Sequence, residues 1–298
     1  MRPFDTLLYR SSEPLKIPSE SYEKCFSTIC LKLSGKESRG NAKMAPQIFE
    51  QAVSTLEVDG GVREKVVQLL VAGSIMIQVI DNLEENPERS GFAIGAVHRS
   101  VCRELLNKGF DQKIIKRLSE TSIRRLVQMH EAMQKETDTF IFGSSEDYDT
   151  VAAQSNGLQY LASLLDESID DKPCSPIHQI NLATRLLVDS ATTHKDLTNA
   201  KGVAPNIILK SILAGDARTI SGAITLRQHQ FKLLFAKIEQ LVQRSPEKLT
   251  ERLFLQILIA TKDYMRKPIP RAVILAGTAK AKIHLSLHPE LLDNLRTA

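Results

Sequence analysis

The chain holds few residues of the kinds that mark specialised classes of protein. Among its 298 residues there is no tryptophan, and there are only 14 glycines, 12 prolines and four cysteines. This composition excludes collagen-like and low-complexity chains, and 42% apolar residues are ample for a globular core. No run approaches the ~18 apolar residues of a membrane span, because glutamine, glycine and serine interrupt the most apolar stretch, 66–80. We therefore expect a globular protein with no membrane partner.

The cysteines and the first residues bear on cellular location. Cysteines 25, 30, 102 and 174 form no Cys-x-x-Cys pair, which argues against a structural zinc site. The N-terminus has no apolar signal core behind a basic start. We expect reduced thiols, a cytoplasmic location, and neither a metal nor a cofactor.

Charge is distributed unevenly, although the formal net charge is only +4. Residues 177–298 hold 18 Lys+Arg against 9 Asp+Glu, and residues 98–135 hold 9 against 4. Residues 136–176 hold 1 against 9. Basic segments are typical of proteins that bind phosphate backbones, although solvated helix faces give the same pattern.

Apolar residues recur at helical spacing along most of the chain, which predicts an all-α fold with at most minor strands. A long apolar helix is predicted over 62–83 and another helix over 150–168. We expect a loop over 34–43, followed by a helix with Pro46 in its first turn, where the missing N–H costs nothing.

The segment Asp170 to Pro176 contains acidic residues, serine and two prolines, which together favour a domain boundary. The prediction is an N-terminal helical domain, 1–169, that ends in an acidic linker. A basic C-terminal helical domain, 177–298, follows it.

Patterns of catalytic sites are scarce, and we expect no catalytic residues: there is no phosphate-binding P-loop, no nucleophile elbow and no His-Glu-x-x-His. Asp81 and Glu85 lie four residues apart, with Glu84 between them, and so share one helix face. This cluster resembles the first aspartate-rich motif of all-α isoprenoid synthases, whose carboxylates hold Mg²⁺ and diphosphate, although the paired aspartates are missing. Its partner would be the acidic group Asp166, Glu167, Asp170 and Asp171. An enzyme of this kind ranks third among our functional hypotheses, after the two given at the end of this section. It requires Asp81 and Glu85 to open into a deep apolar cavity.

Residues 101–126 have the pattern of a helix-turn-helix unit. A helix that stops at Gly109 is followed by a short helix, whose apolar positions include Ile114 and Leu118, and by a polar turn. In such units the start of the last helix faces the major groove. The side chains here that suit phosphates or base edges are Lys116, Arg117, Ser119, Ser122, Arg124 and Arg125.

Residues 180–222 form a second unit of this kind. Gly202 falls at the position of the usual turn glycine, whereas Lys201 and Ser211 occupy positions that prefer apolar residues. The candidate DNA contacts in this unit are Lys201, Asn206, Lys210 and Arg218.

Both segments resemble one family of bacterial regulators. Residues 98–142 resemble the C-terminal part of FlhD, a subunit of the flagellar master regulator, in their leucine rhythm and in the Phe-x-Phe ending at Phe140 and Phe142. Residues 180–222 resemble the helix-turn-helix part of its partner FlhC, which has the same Lys-x-x-Leu-x-Gly ending that starts here at Lys210. The four-cysteine zinc cluster of FlhC has no counterpart in this chain. The resemblance implies a bacterial transcription regulator that binds double-stranded DNA as a homo- or hetero-oligomer.

We therefore expect a DNA-binding transcriptional regulator that contacts duplex DNA through both units. The alternative is a helical protein-interaction module, such as a secreted effector or a secretion regulator, that works through apolar helix faces. Placement of the candidate lysines and arginines on unrelated faces would favour this alternative.

Overall fold

The computed structural model describes residues 16–86, 91–120, 123–169, 172–197, 204–245 and 248–265. These residues form helices and no strands, which confirms the all-α fold. The helices are α1 (Tyr22–Ser34), α2 (Arg39–Ser54), α3 (Gly60–Glu84), α4 (Ile94–Asn107), α5 (Gln112–Glu120), α6 (Ile123–Phe142), α7 (Ser145–Ser155), α8 (Leu158–Leu165), α9 (Pro176–Leu197), α10 (Ile207–Leu213), α11 (Ile220–Gln243) and α12 (Leu249–Met265).

The extents of α2, α7 and α8 differ from the prediction. α2 begins inside the predicted loop and carries Pro46 in its interior, where proline removes one backbone hydrogen bond. Pro46 and its helix neighbours Ala42 and Phe49 are buried, and this packing offsets the lost bond. The single helix predicted over 150–168 is wrong, because Gly157 has a left-handed φ of 80° that separates α7 from α8.

α3 is the central helix and packs against α1, α2, α4, α5, α6 and α8. A Cβ placed on Gly73 would lie 2.6 Å from a methyl carbon of Leu161 and of Leu164, so glycine allows α8 to approach this closely. Among the described helices, α3 alone is long and apolar enough to cross a membrane. Because 83% of its apolar window is buried within the fold, this is weak evidence for a membrane span and fits a core helix.

One apolar core continues across the segment at which the composition predicts a domain boundary. Ile177 and Phe254, which follow that segment, belong to the same buried cluster as Ile29 and Phe49, which precede it. α12 packs against both α2 and α9. The two predicted domains therefore share a core.

A second, smaller apolar cluster joins the end of α6 to α7, α9, α10 and α11. Phe140 and Tyr148 meet edge to face in it, with ring centroids 5.4 Å apart. Leu186 and Ile207 are buried beside them. This cluster holds the helices of the second predicted helix-turn-helix unit.

All four cysteines are free, as expected, and only Cys174 is exposed. Burial raises the pKa of the Cys30 thiol to about 12 and that of Cys102 to about 11. At neutral pH both thiols are therefore protonated and behave as small apolar side chains.

Candidate nucleic-acid interface

α4 and α5 form a packed helix pair in the first predicted unit. Gly109, with a φ of 87°, ends the first helix as expected, and the Asp111 carboxylate accepts the Lys113 backbone N–H at 2.7 Å to begin the second. The ring Nε2 of His98 lies 3.1 Å from the carbonyl oxygen of Leu118. These local contacts fix α5 against α4.

The outer sides of this pair are basic. Most apolar residues of both helices are buried in the core, and most of their charged residues face solvent. Exposed cations in α4, α5 and the first turn of α6 are Arg99, Arg103, Lys113, Lys116 and Arg124. Of the acidic residues described here, Glu104 and Asp111 are buried and only Glu120 is exposed, 3.6 Å from the Lys116 ammonium. The surface therefore has a net positive charge.

Two of the predicted DNA contacts, Arg117 and Arg125, bind the end of α8 and the segment that follows it instead. Arg117 donates from Nε to the Leu164 carbonyl at 2.8 Å, and its Nη1 lies 2.8 Å from the Glu167 carboxylate. Arg125 donates to the carbonyl of Ile169 at 3.0 Å. Arg117 stabilises one of the last carbonyls of α8, and Arg125 holds the segment after it, so both arginines have a structural role.

The other candidates of the first unit lie at the surface where they are described. Lys116 and Arg124 are exposed, whereas the exposed Ser119 donates its hydroxyl hydrogen to the Ile115 carbonyl at 2.6 Å. Ser122 lies outside the described residues. Of the candidates described here, Lys116 and Arg124 therefore present cations to solvent.

In the second unit, Asn206 is fully buried at the start of α10. Its Oδ1 accepts the Ile208 N–H at 2.8 Å, and its Nδ2 donates to the Asp189 carbonyl and to the Asp196 carboxylate. The side chain therefore serves as a helix cap and is not placed to read DNA. This corrects its expected position at the DNA face.

Lys210 is likewise buried, with 2% of its surface exposed. Its ammonium donates to the carbonyls of Phe140 and Gly143 at 2.8 and 2.5 Å, and burial lowers its pKa. Lys210 thus leaves the expected DNA face, because it stabilises the end of α6. Arg218 is exposed, and Lys201 lies outside the described residues.

Three ion pairs between largely buried side chains near the second unit escaped the sequence analysis. Arg227 donates to the Asp149 carboxylate at 2.6 Å and joins α11 to α7. Arg185 of α9 contacts the carboxylates of Glu136 and Asp189 at 2.5 and 2.8 Å. Burial raises the pKa of Asp189 to about 6. The pairs of Arg227 with Asp149 and of Arg185 with Glu136 are distant in sequence and have no local signal. Arg185 and Asp189 are four residues apart on one helix, which is a local signal.

The acidic cluster at the end of α3 is engaged within the fold. Asp81 accepts from the Gln78 amide at 2.9 Å, Glu84 pairs with His130, and Glu85 pairs with Lys36. The described residues include no set of three His, Cys, Asp or Glu side chains suited to a metal ion.

The second acidic group of the isoprenoid-type hypothesis is also engaged within the fold where it is described. Asp166 accepts the backbone N–H of Ser168 at 3.0 Å, and Glu167 pairs with Arg117. Asp170 and Asp171 lie outside the described residues. A pocket of about 160 Å³ lies elsewhere, between α6, α7 and α8. These contacts do not favour the isoprenoid-type hypothesis.

No family model, curated protein or solved structure matches the chain. The likeness to FlhD and FlhC therefore stays a resemblance between residue patterns. Support for a function comes from the surface geometry of the molecule.

Proposed function

We propose that the protein binds duplex DNA through the outer sides of α4 and α5 and the first turn of α6, and acts there as a transcriptional regulator. The observation that carries the proposal is the charge of this surface: it has five exposed cations and, among the residues described there, one exposed carboxylate, that of Glu120. Phosphate contacts from lysine and arginine supply most of the affinity of a protein for duplex DNA.

The rigidity of the pair supports this role. Arg117 and Arg125 hold the end of α5 and the start of α6 against α8. The exposed Lys113 and Lys116 are three residues apart on α5, and Arg99 and Arg103 are four apart on α4, so each pair shares one helix face. Cations on two fixed helices can follow a phosphate backbone without a large ordering cost.

The second unit has a different part in this proposal. Asn206 and Lys210 are used inside the fold, so Arg218 is its only candidate that the structure describes at the surface. We assign DNA binding to the first unit, and an oligomer would present two copies of it to a duplex.

A gel-shift titration on random-sequence duplex tests the proposal. We expect binding at low salt. The logarithm of the association constant should fall linearly with the logarithm of the salt concentration. The variant R99E/K113E should bind at least ~10-fold more weakly and with a shallower salt slope, because phosphate contacts are lost.

The matched control is R39E/K43E, which reverses two exposed cations of α2. This variant carries the same net charge as R99E/K113E and should keep most of the affinity. Equal losses in both variants would show that binding follows net charge and not this surface. Absence of duplex binding by the wild-type protein at low salt would refute the proposal outright.

A further inference from the structure

α11 has a solvent-facing side with the spacing of a coiled-coil seam. Leu226 and Leu233 are 42% and 62% exposed and lie one heptad apart. The spacing alternates between three and four residues from Leu226 to residue 240. The other exposed side chains at these positions are His229, Ala236 and Gln240. Among the described residues, no other pair of large exposed apolar side chains is one heptad apart on a helix.

The opposite side of α11 is held firmly in the fold. Ile220, Ala223 and Ile238 are buried, and Arg227 is fixed by the Asp149 carboxylate. With 24 residues the helix is ~36 Å long, so it offers a straight and preformed surface. The surface is already ordered in the folded protein. A partner helix would therefore bind it without a further entropic cost of ordering α11.

Charge beside the seam decides what kind of helix fits. Lys232 and Lys237 are exposed at the two flanking positions, and Arg244 continues the second flank. The acidic residue of α11, Glu239, is only partly exposed. Acidic side chains on a partner would complement these flanks.

A second copy of α11 is a poor partner for this seam. In a parallel pair, residues five apart across the seam form the interhelical charge pairs, so Lys232 of one helix would meet Lys237 of the other beside Leu233. The attractive pair of Glu239 with Arg244 would lie at the end of the helix, beyond both leucines. In an antiparallel pair centred on Leu233, the two copies of Lys232 would approach each other. Both arrangements place like charges together beside Leu233, the more exposed of the two leucines, which disfavours self-association through this seam.

We propose that the exposed side of α11 is a docking site for an acidic amphipathic helix of a partner protein. Leucines of that helix pack against Leu226 and Leu233, and its glutamates or aspartates pair with Lys232 and Lys237. The site is separate from the α4–α5 surface and does not depend on DNA binding.

The test uses a synthetic 28-residue peptide with leucine at the seam positions and glutamate at both flanks. The peptide carries a fluorescent label, and its anisotropy is measured as the full chain is added. A second peptide carries lysine at the flanks. We expect the acidic peptide to bind at least ~10-fold more tightly than the basic one. The variant K232E/K237E should reverse this preference.

L233D should weaken binding of the acidic peptide at least ~10-fold, since it puts a charge into the seam. Leu233 is exposed, so the variant should fold, and circular dichroism checks this. The control is L106D, which changes an exposed leucine of α4 and should leave binding unchanged.

Failure of the acidic peptide to bind would overturn the proposal, as would equal binding of both peptides or wild-type affinity in L233D. A wild-type dimer that L233D dissociates would instead identify a second copy as the occupant.

Discussion

The two predicted helix-turn-helix units carry similar residues in very different surroundings. In the first, Lys116 and Arg124 extend into solvent from helices whose apolar sides are buried. In the second, Asn206 and Lys210 are buried and hydrogen-bonded to helix ends. A lysine or an asparagine at a favourable position of the pattern is therefore no evidence of a ligand contact until its exposure is known.

The cause of the difference is the number of helices that surround each unit. α10 has only seven residues and contacts α7, α9 and α11, so few of its side chains reach solvent. α5 packs against α3 and α4 and keeps one side open. Polar residues enclosed by three helices must find partners inside the protein, because an unpaired buried polar group is costly.

The largest effect on stability should come from the ion pair between Arg227 and Asp149, which lies beside the second unit. R227M removes the partner of the buried Asp149 carboxylate, and we expect a loss of about 3–5 kcal/mol in the free energy of unfolding. Urea denaturation followed by circular dichroism measures it. K232M changes an exposed cation of the same helix and should cost less than about 0.5 kcal/mol. Equal costs for the two variants would mean that Arg227 is not enclosed.

A smaller loss should follow from Lys210. K210M removes two hydrogen bonds from a charged donor to the carbonyls of Phe140 and Gly143, at an expected cost of about 2–3 kcal/mol. K116M, in the first unit, removes a surface ion pair with Glu120 and should lower the free energy of unfolding by less than about 0.5 kcal/mol. If K210M instead left stability unchanged and weakened duplex binding, Lys210 would belong to the DNA surface after all.

Much of the fold was predictable because helices have local signals. Apolar spacing located α3 to within two residues at its start, and Gly109 marks the end of α4 as expected. The interior proline of α2 was not predictable, because its cost is offset by burial against residues far away in the sequence. The shared core across residues 170–176 likewise depends on the packing of α12 against α2, which no local composition reveals.

The candidate site was predictable only in part. The basic character of residues 98–135 indicated the segment that carries the proposed surface, whereas the structure engages some of the chosen side chains within the fold. Arg117 and Arg125 bind carbonyls at the end of α8 and in the segment after it. Arg99 and Arg103 took no part in the prediction although they are exposed. Helical periodicity from the buried Val97 and Val101 could have placed both of these on the open side of α4.

The end of α3 shows a related contrast between an exposed and a partly buried carboxylate within about one helical turn, and it should give the smallest effect. Glu85 is exposed, whereas burial and the neighbouring Glu85 charge raise the pKa of Asp81 to about 6. In the unfolded chain this carboxyl ionises near its usual ~3.9, so the folded protein binds more protons between these values and loses stability as pH rises through them. D81N abolishes this titration and keeps an oxygen that can accept from Gln78.

We therefore expect D81N to match the wild-type protein at pH 4 and to exceed its stability by about 1–2 kcal/mol at pH 8. Urea denaturation at a series of pH values measures the difference, with the exposed-carboxylate variant E57Q as the control that leaves the curve unchanged. A D81N curve parallel to that of the wild-type protein would show that Asp81 ionises as freely as a surface carboxylate. The contrast between surface and interior would then apply to the second unit but not to the end of α3.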